Sequence, residues 1–252
     1  MLIEVDPKEN SPCTFTDKAR DVVEMAEIFD DWPEKYDQWF ETPIGRLIKK
    51  YESDLVLEML ETEQGERILD AGCGTGVFTK DLVAAGAQIV GLELSLPMLL
   101  QAGRRLEGHF FHMVRGDMRK LPFADNAFDK TVSVTAIEFI VDGSTAIDEM
   151  FRVTKPGGWI VVATLNSLSP WAAQRKAKAR EGHSVFEHAL FRSADDLLNL
   201  SPVDGIVRTA IHFQKDDDLE EAENIEKNGQ SKGLETGAFA VVRWEKPRSR
   251  KS

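Results

Sequence analysis

The 252-residue chain predicts an α/β fold: a doubly wound, mostly parallel sheet of seven strands with a closing antiparallel pair and a helical N-terminal segment. Three observations predict it. Between residues 63 and 165, short apolar runs alternate with helical patterns, the rhythm of a parallel sheet with crossover helices. Glycines 72, 74 and 76 stand where the first apolar run gives way to a helical pattern. Two β-like runs near the end of the chain, Gly205–Phe213 and Gly237–Glu245, break the alternation and read as the closing pair.

In chain order, residues 1–15 mix Pro, Asn, Ser and charge without a period and read as an arm. Residues 16–62 hold two helices. Thr16 is an N-cap candidate before Val22, Met25, Ala26 and Phe29, and Pro33 ends that helix or begins the next segment. The aromatic stretch WPEKYDQWFETP then leads into Ile44, Leu47, Ile48, Tyr51, Leu55 and Met59, at three-and-four spacing.

Residues 63–165 form the core, with strands over Arg67–Ala71, Gln88–Leu92, Phe110–Val114, Phe128–Thr135 and Trp159–Leu165. Helices fall near Val77–Ala84, Leu96–Leu106 and Ser144–Val153, and Gly86, Gly108 and Gly157-Gly158 supply the stops. In 166–203, a Ser-capped, Pro-initiated helix rich in Lys and Arg closes on Gly182, and a further helix is expected around Ser193–Leu200. The closing strands occupy 204–247. Their connection, 215–235, carries eight acids against three bases, and is expected to be solvated and mobile. Residues 248–252 end a basic tail. All of this reads as a single domain.

Composition narrows the partners. Apolar residues make up 42% and charged residues 29%, ordinary globular usage. A net charge of −12 opposes binding to nucleic acid or anionic lipid. Cys13 and Cys73 lie far apart with no C-x-x-C spacing, so neither a disulfide framework nor a metal site is expected, and a reducing cytoplasm fits. No apolar run approaches the roughly 18 residues a membrane span needs, and the N-terminus lacks an export signal.

The strongest chemical signal is RILDAGCGTGVFTKDL, Arg67 to Leu82. Glycines at a strand-to-helix turn let backbone N–H groups approach a ligand where a Cβ would collide; the plainer alternative is a tight turn alone. Val77 stands where a dinucleotide fingerprint needs its third glycine, and the G-K-[ST] ending of a P-loop is missing. The Asp70 carboxylate would repel a pyrophosphate, whereas it suits an ammonium or sulfonium group.

These residues resemble the class I S-adenosylmethionine-dependent methyltransferases, in particular the small-molecule branch that includes the ubiquinone and menaquinone C-methyltransferases. The match runs from about Arg67 to Leu165. LDAGCGTG is similar to that family's first motif, GLELSLPML to its second, GDMRKLPFADNAFD to its third, and RVTKPGGWIVV to its late turn into the fifth strand. The resemblance implies a Rossmann-like methyltransferase fold, S-adenosylmethionine as cofactor, a small-molecule methyl acceptor, and a monomer or homodimer.

It further implies that Asp70, Ala71, Gly72, Cys73, Gly74 and Gly76 surround the cofactor's amino acid end. Glu93, beside Leu94, would take the ribose hydroxyls, and Asp117 and Met118 would contact adenine. Thr135 and Ala136 would line the methionine side, and Tyr36 and Trp39 would form part of a lid. Each has a plainer reading: Glu93 as a strand-end acid, Asp117 as a turn cap, and the aromatics as packing.

No catalytic base is assigned. Candidates are Tyr36, Glu138, His183 and His188; many relatives carry a His where this chain has Phe139. The segment VTAIEFIVD lacks the Asn-Pro-Pro-Tyr-like quartet of enzymes that methylate nucleic acid bases. The helix with Arg175, Lys176, Lys178 and Arg180 is either a solvated face or a means of steering an anionic small substrate. Two other readings compete: a nicotinamide-dependent oxidoreductase, and a catalytically silent cofactor-binding module.

Overall fold

A computed structural model describes residues 27–180 and 185–248. Its centre is a seven-stranded sheet of β1 (Arg67–Ala71), β2 (Gln88–Glu93), β3 (Phe111–Arg115), β4 (Lys130–Val134), β5 (Trp159–Leu165), β6 (Gly205–Ala210) and β7 (Phe239–Glu245), in spatial order β3-β2-β1-β4-β5-β7-β6. β1 to β5 are parallel, whereas β7 pairs antiparallel with both β5 and β6. β4 is buried along its whole length and β1 along all but Arg67, as strands covered on both faces must be.

The chain runs outward through β1, β2 and β3, then returns to lay β4 beside β1. That reversal opens a crevice beyond the carboxyl ends of β1 and β4, where open α/β sheets bind ligands.

The helices are α1 (Pro33–Glu41), α2 (Pro43–Leu60), α3 (Thr79–Ala84), α4 (Leu96–Arg105), α5 (Gly143–Val153), α6 (Pro170–Arg180), α7 (Ala194–Leu198) and α8 (Leu219–Ser231). Local chemistry fixes their starts. The N–H of Gly45 donates to Thr42 Oγ1 at 3.0 Å ahead of α2, and Ser193 and Asp196 form a reciprocal capping box on α7. On one face of the sheet α2 and α3 cover Ile68, Ile89 and Phe239; on the other α5 and α7 cover Leu69, Val162 and Trp244.

Core boundaries agree with the sequence reading to within a few residues. β3 starts one residue later, and β4 is shorter because Phe128 makes only an isolated bridge with Thr154. β6 stops at Ala210, since Ile211 takes φ 65° and turns the chain out of the ladder. Pro33 begins α1 rather than ending the preceding helix, of which residues 27–30 are described. The arm 1–15, Cys13, His183 and the end of the basic tail lie outside the described residues. No described helix is long and apolar enough to cross a membrane.

The connection 215–235 requires correction: it is not a solvated, mobile loop but carries α8. Ala222, Glu226 and Gly229 are buried there, and a Cβ on Gly229 would stand 2.3 Å from the His212 ring. Glu226 Oε2 accepts the backbone N–H of His212 at 2.7 Å and lies 3.1 Å from its Nδ1. The buried stripe of α8 is small and acidic rather than apolar. It docks by close approach and an ion pair, so an apolar count misses it.

Candidate functional site

One cavity of about 430 Å3 opens at the carboxyl ends of β1, β2 and β4, within the range of small-molecule sites. α1 and the start of α6 roof it. Of the residues expected at a cofactor, Tyr36, Trp39, Asp70, Gly72, Cys73, Gly74, Glu93, Leu94, Asp117, Met118, Thr135 and Ala136 all line this space. Ala71 and Gly76 do not. Ala71 is fully buried in the sheet, and Gly76 (φ 76°) admits α4, since a Cβ there would press on Ala102 and Leu106.

The glycine turn is built for close approach. Gly72, at φ 82°, packs so tightly that a Cβ would sit 2.4 Å from that of Ala136, which joins the β1 turn to the β4 turn. Gly74, at φ 53°, would present a Cβ to no protein atom within 4 Å; its open face belongs to the cavity.

Two acids rim the turn. Asp70 Oδ2 accepts from the Thr79 hydroxyl at 2.6 Å, while burial raises the Asp70 carboxyl to about 7. Glu93 accepts three backbone N–H groups, from Gly74 (3.0 Å), Leu94 (2.7 Å) and Ser95 (2.9 Å). Burial pushes its carboxyl up and those donors oppose the shift. A carboxylate has about four acceptor positions, so one remains open toward the cavity. Asp117 is bound by Arg119, whose Nη2 lies 2.8 Å from its Oδ2, so this acid both holds its own turn and faces the cavity. Burial raises the Cys73 thiol well above its ordinary range, which leaves it an inert spacer.

The opposite wall is aromatic. Phe29, Trp32, Phe139, Trp171 and Phe186 enclose it, with Tyr36 between the two halves. Burial raises the Tyr36 phenol above its ordinary range and the Thr135 side chain hydrogen-bonds it, so it serves as a hydrogen-bond donor at neutral pH. Thr135 itself holds φ 49°, a costly conformation for a β-branched residue and one typical of functional sites.

The remaining candidates separate. Glu138 is fully buried behind the wall, where its Oε1 accepts the N–H of Leu165 at 2.6 Å. His188 is exposed and does not line the cavity. Sequence reasoning missed Glu52, which is 5% exposed, lines the cavity from α2, and is pushed by burial to about 8. The sequence signal was an acid inside the buried stripe Ile48, Val56, Met59. Arg175, in the helix read as either a solvated face or a means of steering an anionic substrate, lines the cavity and stands over the rings of Trp171 (5.4 Å) and Phe186 (5.8 Å).

α1 is fastened over this space. The Thr75 hydroxyl donates to Asp37 Oδ1 at 2.6 Å, and the Ser95 hydroxyl to Asp30 Oδ1 at 2.7 Å.

Comparison with known proteins agrees with this geometry. A family model described as "Methyltransferase domain" matches residues 69–162. The malonyl-[acyl-carrier protein] O-methyltransferase of Buchnera aphidicola subsp. Baizongia pistaciae is 34% identical over 177 residues, 70% of this chain and 68% of that protein. The demethylmenaquinone methyltransferase of Paenarthrobacter aurescens is 34% identical over 140 residues, 56% of this chain and 54% of that protein. The chain thus spans about half the length of several curated relatives it matches. A solved S-adenosylmethionine-dependent methyltransferase of Thermotoga maritima shares the fold, with TM-score 0.65 and 24% identity over 88% of this chain and 99% of that one. Four ordered motifs, a switch-point cavity rimmed by Asp70 and Glu93, and a relative matched over two thirds of its length agree: the chain belongs to the class I S-adenosylmethionine-dependent methyltransferases.

Proposed function

We propose that the protein transfers a methyl group from S-adenosylmethionine to a small-molecule acceptor by in-line displacement. One observation carries this reading: a single cavity joins an acid-rimmed backbone hollow to an aromatic chamber. When bound, the cofactor supplies an electrophilic methyl group on a sulfonium.

The chain's own residues then bind and orient. The open acceptor position of Glu93 takes a ribose hydroxyl, Asp117 and Met118 meet the adenine, and Gly72 to Gly74 leave room for the amino acid end. Asp70, buried and near its midpoint at neutral pH, is stabilised as a carboxylate by a cation placed beside it. Trp39 and Tyr36 close the space and exclude water. Holding acceptor and methyl in line at about 3–3.5 Å supplies on the order of 7–11 kcal/mol by orientation alone.

No described residue lining the acceptor side is a ready base. The Tyr36 phenol stays protonated and Glu52 is raised to about 8, while Glu138 lies behind the wall, engaged with the Leu165 N–H. The reading therefore favours an acceptor that arrives ionised or is nucleophilic without help. A cytoplasmic monomer or homodimer that leaves nucleic acid unbound completes it, supported by the net charge of −12.

Calorimetry with S-adenosylhomocysteine, followed by turnover of S-adenosylmethionine against a panel of small acceptors, tests the proposal. Binding with turnover of at least one acceptor is the expected result. Absence of nucleoside binding, or protection of the fold by reduced nicotinamide cofactor instead, would overturn it.

A further inference from the structure

The cavity is electrically divided. Its strand-end half is lined by the carboxylates of Asp70, Glu93 and Asp117, while its helical half is lined by Lys35, Arg175 and Lys215 with the single acid Glu52. The two lysines are exposed at the mouth, where Lys35 stands over the Trp32 ring at 5.2 Å and Lys215 over the Trp39 ring at 5.3 Å. Arg175 lies deeper, and its Nη1 is buried with no hydrogen-bond partner among the described residues.

A buried guanidinium N–H left unpaired is costly, and proteins retain such a group where something else completes it. The two nearest carboxyls do not. Glu52 and Glu138 lie close enough to feel the charge of Arg175, yet neither hydrogen-bonds to it. Burial also keeps the Glu52 proton on, so at neutral pH Glu52 is itself a donor. The floor of the helical half is therefore a set of donors with one net positive charge, inside a protein of charge −12.

On the methyl-transfer reading of this same cavity, we infer that the acceptor is a carboxylate-bearing small molecule with a flat apolar body, its carboxylate seated on Arg175. The planar guanidinium fork matches a carboxylate, and Trp171 and Phe186 hold the guanidinium by cation–π contact. The rings of Trp32 and Phe139 bracket the apolar body, and Lys35 and Lys215 draw the anion toward the mouth. A phosphate dianion fits less well, because one buried cation beside two carboxyl groups leaves a charge uncompensated.

The test is calorimetry on the full chain, with and without saturating S-adenosylhomocysteine, using 2-naphthoate, 2-naphthamide and 2-naphthyl phosphate. 2-Naphthoate is expected to bind at least tenfold more tightly than the amide and more tightly than the phosphate. Arg175→Met abolishes that preference, Arg175→Lys keeps part of it, and both variants keep the wild-type affinity for S-adenosylhomocysteine, which confirms an intact fold. Equal affinities for naphthoate and naphthamide, a preference for the phosphate, or no binding of naphthoate overturns the inference. Failure of S-adenosylhomocysteine to bind the wild type would instead overturn the methyl-transfer reading, and the naphthoate preference of the nucleoside-free protein reads out separately.

Discussion

Arg105 Nη2 donates to Asp37 Oδ2 at 2.6 Å, tying the last turn of α4 to the middle of α1. The same guanidinium donates through Nη1 to the Thr75 hydroxyl at 2.9 Å and to the Thr75 carbonyl, and Gln101 Nε2 reaches Asp37 at 3.2 Å. Roof, glycine turn and second crossover helix thus meet at one node. Both charged side chains are largely shielded, at 21% and 14% exposure, so the pair is worth more than a surface ion pair.

The first prediction concerns that node. Arg105→Met and Asp37→Asn each loosen α1 and weaken S-adenosylhomocysteine binding about tenfold, chiefly through faster dissociation. Stopped-flow fluorescence of the roof tryptophans reads the rate, and an unchanged dissociation rate in both variants would refute the coupling.

A second prediction concerns the rim. Glu93→Ala removes the acceptor of three backbone N–H groups, and Asp70→Ala removes the partner of Thr79. Each weakens nucleoside binding by about 1.5–3 kcal/mol, the ordinary value of hydrogen bonds to a charged group. Calorimetry measures it, with circular dichroism to confirm that the sheet persists.

The pair His212–Glu226 gives a third. Its side chains are 3% and 0% exposed, so Glu226→Ala leaves a buried imidazole without its acceptor and costs about 3 kcal/mol, while Glu226→Gln costs less. The pair also has a pH signature. His212 is raised, so its contribution is complete below pH 6.5 and is lost as pH rises through the shifted value. Glu226 is lowered, so its contribution is present above 4.5 and is lost on acidification. Urea melts across pH show whether the penalty of Glu226→Ala peaks between those limits.

A fourth prediction shares the slope of His212. Burial raises Glu52 from 4.5 to about 8 and Asp70 from 3.8 to about 7, so the native state binds more protons than the unfolded chain between those values. Stability of the ligand-free protein therefore falls as pH rises from 5 to 8, by on the order of a few kcal/mol. Glu52→Gln flattens the dependence. A slope unchanged in that variant would show that Glu52 titrates normally.

The parallel core was legible because strands buried on both faces are written as unbroken apolar runs, such as Trp159–Leu165. The acid positions of the rim were legible because each stands at or beside the carboxyl end of a strand: Asp70 one residue before the close of β1, Glu93 at the close of β2. α8 was hidden because its docking stripe of Ala222, Glu226 and Gly229 carries a single large apolar neighbour, Ile225. Glu52 was hidden for a related reason, and Arg175 was legible only as one of two open readings of its helix. On α2 and α6 a charged residue reads as solvent-facing, and only the fold places the turns that carry them over a cavity.

The placement of β7 between β5 and β6 also has a consequence for biosynthesis. β6 touches no other strand, so when it emerges from the ribosome it has no ladder to join until the segment Phe239–Glu245 follows. During that interval the edge of β5 that β7 will cover stays unpaired, an edge open to other chains.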